Sequence, residues 1–439
     1  MSGVTGNAKT MPRWLRLTDH RDVGTATILL AIVAGLVGGV MSLVLRLPAL
    51  EIDASWRLAA LQHGPVVVFF SAIPALVGGF GNWFVPLLIG ARNTAFPRLG
   101  ATSFWLGALG FLLTMAGLLD PKSVLLLSLA LHLAGIAMLL CAANLVATAL
   151  NMRRPGMTLG DMPVFVWSQL IAGCLTIVAI PMLVAALTLA GSDSAQQASR
   201  FFFYPGFCIM ILPGLGMVSQ IVSTFCARPL VGHRLIIIAM AVLATTGFLA
   251  WAHQLLDHGV ASDDSLFGVA SLLAVIVPAL FIAICWCVTL GGASVPARVL
   301  LARTPGLFAL GFIVVLVVGG LASLWRLAND PAGAPLHDAV SLGAVFALFA
   351  GFYYWIGRMT GKPYPELLGR LQFGLLFLGV AIMFTGASST GSIAAAGAAL
   401  ASLSILVFAL VVLITLSRRA VVSPHQWGPG AVTLEWTAA

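Results

Sequence analysis

Long apolar runs divide almost the whole chain, and each is long enough to cross a lipid bilayer. They lie near 26–46, 59–81, 102–119, 123–150, 162–190, 201–223, 234–256, 265–290, 304–324, 337–357, 371–391 and 397–417. A membrane-spanning helix needs about 20 predominantly apolar residues. The pattern therefore predicts an all-α, polytopic membrane protein with twelve transmembrane helices, here called predicted spans 1 to 12. We expect one transmembrane domain over 1–439, with a basic N-terminal tail at 1–22 and a C-terminal tail at 418–439.

The composition excludes several classes of protein. Of the 439 residues, 60% are apolar and only 8% are charged, whereas a soluble domain carries about 25% charged residues. A soluble enzyme is excluded, and the short loops leave no room for a sizeable extramembrane domain. The six cysteines fall mostly inside the apolar runs, where thiols behave as small hydrophobic groups. We therefore expect neither a disulfide framework nor a zinc site.

The basic residues give the chain an orientation. With both termini on one side, that side collects 17 of the 22 lysines and arginines, and the other side keeps 5. Loops on the cytoplasmic side of membranes carry the excess of lysine and arginine, so both termini are predicted to be cytoplasmic. This topology accounts for the net charge of +8. Membrane lipid is the expected partner, and nucleic acid is not.

Five of the eight histidines are expected to have ordinary structural roles. His20 and His425 lie in the predicted tails, His233 lies at the cytoplasmic edge of predicted span 7, and His258 lies in an outer loop. We expect these four side chains to be solvated. His132 lies deeper, in predicted span 4 among leucines, and is expected to be a hydrogen-bonded residue of the core.

The other three histidines share one depth. His63, His253 and His337 lie near the outer ends of predicted spans 2, 7 and 10. Ionisable groups within membrane spans are rare and are functional hypotheses by default. Neutral imidazoles at one depth can bond to backbone carbonyls, or two of them can ligate one haem iron from facing helices. Depth does not distinguish these alternatives, because it does not say which helices are neighbours.

Several stretches resemble subunit I of the haem–copper terminal oxidases, the cytochrome c oxidase type. They are LTDHRDVGT (17–25), LQHGPVVVFFSAIPALVGGFGNWFVPLLIG (61–90), AFPRLGATSFWL (95–106), ILPGLGMVSQIV (211–222), FLAWAHQ (248–254), LGAVFALFAGFYYWIGRMTGKPYPE (342–366) and WGPGAVTLEW (427–436). They follow the family's order from one end of the chain to the other. The resemblance implies the family's twelve-helix bundle, and a place in a respiratory complex beside subunits like oxidase subunits II and III.

The resemblance also implies one haem site. His63 matches the family's histidine ligand of the low-spin haem, and Arg46 matches an arginine near that haem's edge. An ungapped alignment back from Ser341 places His337 on the second low-spin haem ligand. A gapped alignment instead matches His337 and Asp338 to a His-Asp pair in the preceding outer loop. The ungapped alignment is favoured because it needs no break inside a helix, and it keeps a bis-histidine site.

The family's oxygen-reducing site does not match. Under the same alignment Pro335 replaces the axial ligand of the high-spin haem. Tyr204 replaces a copper-binding histidine, and Cys208 replaces the tyrosine that is cross-linked to it. The family's paired copper-binding histidines of the seventh span are matched by His253 and Gln254. Divalent copper prefers several nitrogen donors, so copper is not expected.

Positions of the family's proton routes are also changed. Asn93 stands where the family has the aspartate that opens one channel, and Gly206 stands where it has a glutamate. Leu300 matches the lysine of the other channel. The stretch 385–397 lacks the arginine pair that holds haem propionates.

The sequence thus favours an electron-transferring respiratory membrane protein with one low-spin haem of undetermined type and without an intact dioxygen-reducing centre. Two alternatives stay open. One is a divergent but active terminal oxidase, or a relative of the nitric oxide reductases, with rearranged ligands. The other is a haem-free scaffold or assembly subunit. The electron donor is not identified, and the bacterial plasma membrane is the expected location.

Overall fold

The computed structural model describes residues 17–46, 60–119, 124–189, 194–256, 265–293, 302–329, 336–386, 391–422 and 426–437. Twelve helices within these ranges are long and apolar enough to cross a membrane, which confirms the predicted all-α bundle. They are α1 His20–Arg46, α2 His63–Ile89, α3 Pro97–Leu119, α4 Val124–Asn151, α5 Val164–Leu189, α6 Ser194–Cys226, α7 His233–Leu256, α8 Ser265–Gly291, α9 Thr304–Asn329, α10 Leu336–Thr360, α11 Glu366–Gly386 and α12 Gly391–Ser417. A short helix, α13, follows at Leu434–Thr437.

Some helices begin before the apolar run that predicts them. Helix α1 begins at His20 rather than at 26, and α11 begins at Glu366 rather than at 371. Each of these first turns contains an acidic residue, Asp22 in α1 and Glu366 in α11. Carboxylates are stabilised near the positive N-terminal end of a helix. A polar first turn therefore favours a helix, although it does not extend the apolar pattern.

Helix α6 lies at the centre of the bundle. It contacts α5, α7, α8, α9 and α10, and 94% of its most apolar stretch is buried. The corresponding shares are 72% for α10 and 61% for α2, but only 22% for α1, α3 and α12. Close packing at the centre depends on small residues: a side chain at Gly216 of α6 would overlap Ser168 of α5. The bundle therefore has α2, α6 and α10 inside and the hairpins of the remaining helices around them.

One end of the bundle gathers the start of α1, the loops after the even-numbered helices, and the chain after α12. Five hydrogen bonds join these parts: His20 N to Asn93 Oδ1 (3.2 Å), Arg154 N to Ile89 O (2.9 Å), Val231 N to Thr289 Oγ1 (3.0 Å), Thr304 N to Glu366 Oε1 (2.7 Å) and Val422 N to Gly361 O (2.9 Å). We call this the basic end, because Arg92, Arg153, Arg228, Arg303, Arg370 and Arg418 lie there, and we call the other the opposite end.

Helix α2 is irregular. After one α-helical turn at His63–Val66 it forms two π-helical segments, Val67–Ala72 and Pro74–Gly79, before it continues as an α-helix over Phe80–Ile89. π-Helical turns are rare and occur frequently at functional sites. The helix ends at Gly90, whose φ of 72° is a left-handed conformation that glycine adopts readily. Helix α2 is thus a distorted helix in the interior of the bundle.

Candidate functional site

His63 opens helix α2 at the opposite end. Its side chain is partly buried, and Nδ1 lies 3.1 Å from the carbonyl oxygen of Ala60. A bond from Nδ1–H to a backbone carbonyl fixes the ring and leaves Nε2 with its lone pair, as in histidines that ligate metals. Next to it, a side chain added at Gly64 would meet no atom of the described residues within 4 Å. The imidazole is therefore oriented, and among the described residues no atom crowds the position of Gly64 beside it.

The helices that carry His63 and His337 are neighbours and run in the same direction. Helix α10 touches the first π-helical segment of α2. Nearer the basic end, Trp355 of α10 stacks on Phe84 of α2 with ring centroids 4.2 Å apart and an interplanar angle of 15°. A second ring of α2, Phe80, lies 5.6 Å from Trp355. Helices α2 and α10 are thus in contact at two levels, at the first π-helical segment and at the rings of Phe80 and Phe84.

The two histidine positions stand at similar depths. Phe84 follows His63 by 21 residues, and Trp355 follows His337 by 18 residues. At a rise of about 1.5 Å per residue, each histidine position is roughly 27–32 Å from the ring stack. The similar depth of the two histidine positions, inferred from the sequence, is thus consistent with the structure, in which their helices are also in contact. The side chains of His337 and Arg46 lie outside the described part of the structure, as do Pro335 and Leu300 entirely.

The positions matched to the family's copper ligands lie on α6 and α7. His253 lies in the last turn of α7 and its side chain is exposed. The side chains of Tyr204 and Gln254 are not among those described. Below them, the thiol of Cys208 is buried and lies 3.8 Å from the carbonyl oxygen of Leu243. A side chain at Gly247 of α7 would overlap this sulfur. Helices α6 and α7 are therefore in tight contact at the position matched to the family's tyrosine.

Asn93 has a structural role at the basic end. Its amide nitrogen donates to the carbonyl oxygen of Thr18 at 2.9 Å, and its Oδ1 accepts from the backbone nitrogens of His20 (3.2 Å) and Thr94 (2.8 Å). These bonds fix the start of α1 against the loop after α2. Gly206 of α6, also matched to a proton-route position, lies nearer the opposite end, is buried and offers no titratable group.

The structure corrects part of the assignment of the ordinary histidines. The prediction that His20 is solvated is wrong: it is 3% exposed, and its Nδ1 lies 2.8 Å from the carbonyl oxygen of Asn82. The reason is that α1 begins at this residue and its first turn packs on α2. His233 is partly buried rather than fully solvated, and its Nε2 is inaccessible. His258 and His425 lie outside the described residues.

His132 is hydrogen-bonded as predicted. Its Nδ1 lies 2.7 Å from the carbonyl oxygen of Ser128, and its Nε2 lies 3.0 Å from Thr188 Oγ1 of α5. The side chain is partly buried rather than part of the core. Both ring nitrogens are engaged, so His132 differs from His63.

A small cavity lies between α1, α2, α3, α4 and α5. Its volume is about 50 Å³, which is enough for a few water molecules. Its polar lining is Thr27, Asn82, Ser103, Cys141 and Thr176. Asn82 donates to the carbonyl oxygen of Gly78 at 2.7 Å, and Ser103 donates to that of Ala137 at 2.8 Å. Most of the polar lining is thus already hydrogen-bonded to backbone carbonyls, and the bond from Ser103 joins α3 to α4.

A polar cluster that the sequence did not predict lies at the basic end of α6. Residues 426–437, the C-terminal segment, pack against α2, α6 and α10 instead of extending into solvent. Gln220 of α6 donates from Nε2 to Glu435 Oε1 at 2.9 Å and to Thr433 Oγ1 at 3.0 Å. The hydroxyl of Tyr354 lies 2.7 Å from Thr224 Oγ1 and accepts from Trp436 Nε1 at 2.9 Å. A lone glutamate between apolar residues in TLEW was the available signal.

Within the part of the chain that the structure describes, no group of three or more histidine, cysteine or acidic side chains could hold a metal ion. A bis-histidine haem needs only two such ligands, one from each face of the ring. The candidate haem pair therefore depends on how its two helices are placed and does not require a larger cluster of donors.

Comparisons with known proteins agree with the fold. The family model for cytochrome c and quinol oxidase polypeptide I matches residues 22–412. Cytochrome c oxidase subunit 1 of Cereibacter sphaeroides is 30% identical over an alignment of 528 residues, which covers 97% of this chain and 92% of that protein. The alignment is longer than the chain of 439 residues, so it contains gaps in this chain. On this evidence the chain is a multi-pass membrane protein that belongs to the haem–copper oxidase subunit I family.

Proposed function

We propose that this protein is an electron-transfer subunit of a respiratory complex that binds one low-spin haem through His63 and His337 and does not itself reduce dioxygen. The observation that carries the proposal is the pairing of α2 with α10, which joins the two histidine-bearing helices at matching depths. When bound, a six-coordinate haem supplies one-electron oxidation and reduction and leaves no coordination position for a substrate.

The residues of the chain have separate parts in this proposal. His63 presents Nε2 because Nδ1 is held at the carbonyl of Ala60. His337 is the ligand from α10, in the second residue of that helix. Arg46, the last residue of α1, is assigned to a haem propionate. The assignment of His337 rests on the ungapped alignment, and the gapped alignment would remove it.

The loss of the dioxygen site is supported by the side of the bundle formed by α6 and α7. Gly247 and Leu243 leave room at position 208 for a thiol but not for the larger side chain of a tyrosine. Pro335 has no side-chain donor for a haem iron, and Tyr204 with Gln254 supplies poor ligands for divalent copper. None of the three side chains matched to the family's proton routes, at Asn93, Gly206 and Leu300, is titratable.

The test is a reduced-minus-oxidised visible spectrum of the purified protein, with and without carbon monoxide. We expect a low-spin signal that carbon monoxide does not change and that His63→Ala and His337→Ala each abolish. The matched control is His132→Ala, which removes a partly buried histidine whose two nitrogens bond to Ser128 and Thr188 and should keep the signal.

Two other results would each replace the proposal. A carbon-monoxide-sensitive signal with stoichiometric copper, and oxygen consumption lost in His253→Ala, would identify an active terminal oxidase. The absence of haem from protein that still purifies with respiratory subunits would identify a scaffold, in keeping with the missing propionate arginines in 385–397.

The cellular setting belongs to the same proposal. The basic end is assigned to the cytoplasm by the distribution of lysine and arginine, in a bacterial plasma membrane. Subunits like oxidase subunits II and III are the proposed partners, and membrane lipid covers the exposed helix faces. Labelling of cysteines introduced at Gly156 and Val432, both at the basic end, should occur only from the cytoplasmic side.

A further inference from the structure

Glu435 is a buried carboxylate with one oxygen unused. The residue is 0% exposed. Its Oε1 accepts the hydrogen bond from Gln220 at 2.9 Å. Its Oε2 is buried and has no hydrogen-bond partner among the residues that the structure describes. An ionised carboxylate shielded from water is costly unless each oxygen is bonded, and such a group takes up a proton instead.

The groups around Glu435 supply little compensating charge. Arg358 of α10 is the cation that acts on the carboxylate, and Arg21 of α1 lies beyond it. The hydroxyl of Tyr354 on α10 is a neutral neighbour. The stretch of α2 that packs on α13, Phe80–Ile89, contains no titratable residue. Near Gln220, α6 adds only the thiol of Cys226.

Solvent lies close to this site. Val432 is 72% exposed, and Thr433 and Leu434 are partly buried. The carboxyl is thus three residues from a largely exposed side chain. The segment itself is held tightly elsewhere: a side chain at Gly430 would overlap the carbonyl of Thr224, and Trp427 donates to the carbonyl oxygen of Tyr354 at 3.0 Å.

We propose that Glu435 is a proton-binding site whose buried Oε2 takes up one proton from solvent at the basic end, and that the neutral carboxyl holds the C-terminal segment on α6 and α10. The step is an acid–base equilibrium: one O–H bond forms on Oε2, the negative charge is lost, and no electron is transferred. It requires no haem and is therefore independent of the proposed electron-transfer role.

The titration of the group agrees with the geometry. Burial raises the pKa of the Glu435 carboxyl from 4.5 to about 7, against the opposing effects of hydrogen bonds from Thr433 and Gln220 and of the charge on Arg358. Because the pKa is higher in the docked state, the contribution to docking is fully present below pH 4.5 and is lost as the pH rises through 7. The docking equilibrium should weaken about 300-fold in total, from well below pH 4.5 to well above pH 7.

The experiment is an infrared titration of the whole protein in detergent, read at the carbonyl stretch of a protonated carboxylic acid. The expected result is a band that disappears with a midpoint near pH 7 and is absent in Glu435→Gln. Gln220→Met removes a hydrogen bond that favours the charged form, so it should raise the midpoint. The control Glu366→Gln changes a carboxylate that accepts from Thr304 and pairs with Arg370 at 3.4 Å, and should leave the band unchanged.

Hydrogen exchange gives a second measure of the same site. After correction for the intrinsic pH dependence, exchange in 426–437 should become faster above pH 7 in the wild-type protein. It should be independent of pH in Glu435→Gln, because the amide stays neutral. A carboxyl band that titrates near the ordinary value of 4.5, or the same exchange profile in Glu435→Gln as in the wild type, would overturn the proposal.

Discussion

The two halves of helix α6 differ in how they pack. Near the basic end, Gln220 and Thr224 each bond to partners on other elements, Glu435 and Tyr354. In the half nearer the opposite end, Gly206 and Cys208 are buried, and the thiol reaches only a backbone carbonyl. Among the described residues, the side-chain hydrogen bonds from α6 to the C-terminal segment and to Tyr354 lie in the half near the basic end, where they join separate elements of the bundle.

The largest expected effect is on the contact between α2 and α10 near the basic end. Trp355→Ala removes a fully buried ring that stacks on Phe84 and lies edge-on to Phe165 at 5.1 Å. Loss of a buried tryptophan lowers the free energy of unfolding by about 3–5 kcal/mol. Chemical unfolding in detergent measures it. The control is Trp105→Ala, at a residue 41% exposed, where a change within about 0.5 kcal/mol is expected. Equal effects would mean that the ring stack does not join α2 to α10.

The packing of the other half of α6 is tested by Gly247→Ala. The new methyl group overlaps the sulfur of Cys208, and overpacking of a core lowers the free energy of unfolding by about 1–3 kcal/mol. The double variant Cys208→Ala with Gly247→Ala removes the overlapping atom and should recover most of the loss. If the two changes are simply additive, α6 and α7 are not in the tight contact described.

The polar cluster is tested by Tyr354→Phe. This change leaves Thr224 without the tyrosine hydroxyl and Trp436 Nε1 without its acceptor. Unpaired buried groups cost about 1–3 kcal/mol, and hydrogen exchange in 426–437 should become faster. Tyr353→Phe is the matched control, because that hydroxyl donates to Gln372 of α11. Faster exchange of the C-terminal segment in both variants would contradict a role specific to Tyr354.

The smallest effect compares two carboxyls of the basic end. Asp161 accepts from Thr158 through Oγ1 at 2.6 Å and through the backbone nitrogen at 3.0 Å. These bonds lower the pKa of Asp161 from its ordinary value of 3.8. Its contribution is thus present above pH 3.8 and is lost on acidification, the reverse of Glu435. Asp161→Asn should not change the unfolding temperature at pH 7 measurably, and should reduce its fall below pH 4. An equal change at pH 7 for Asp161→Asn and Tyr354→Phe would remove the distinction between exposed and buried groups.

The sequence predicts the number and order of helices because long apolar runs have few alternatives in a membrane. It does not predict which helices are central, since an apolar side chain faces lipid or protein equally well. The sequence did not predict the burial of His20, because the first turn of α1 is polar and the helix therefore begins before the apolar pattern does. The docking of Glu435 was missed because its partners lie far along the chain, with Gln220 215 residues away. For the proposed haem site, the sequence gives the positions and depth of His63 and His337, but only the packing shows which helices are neighbours.

The docking of residues 426–437 also has a consequence for the order of biosynthesis. A ribosome makes this segment after all twelve helices, so Gln220, Thr224 and Tyr354 enter the membrane long before Glu435 and Trp436 exist. Until then the end of α6 at the basic end lacks these two partners. The C-terminal segment thus packs after the helices, and the bundle reaches its final packing only once translation has passed Trp436.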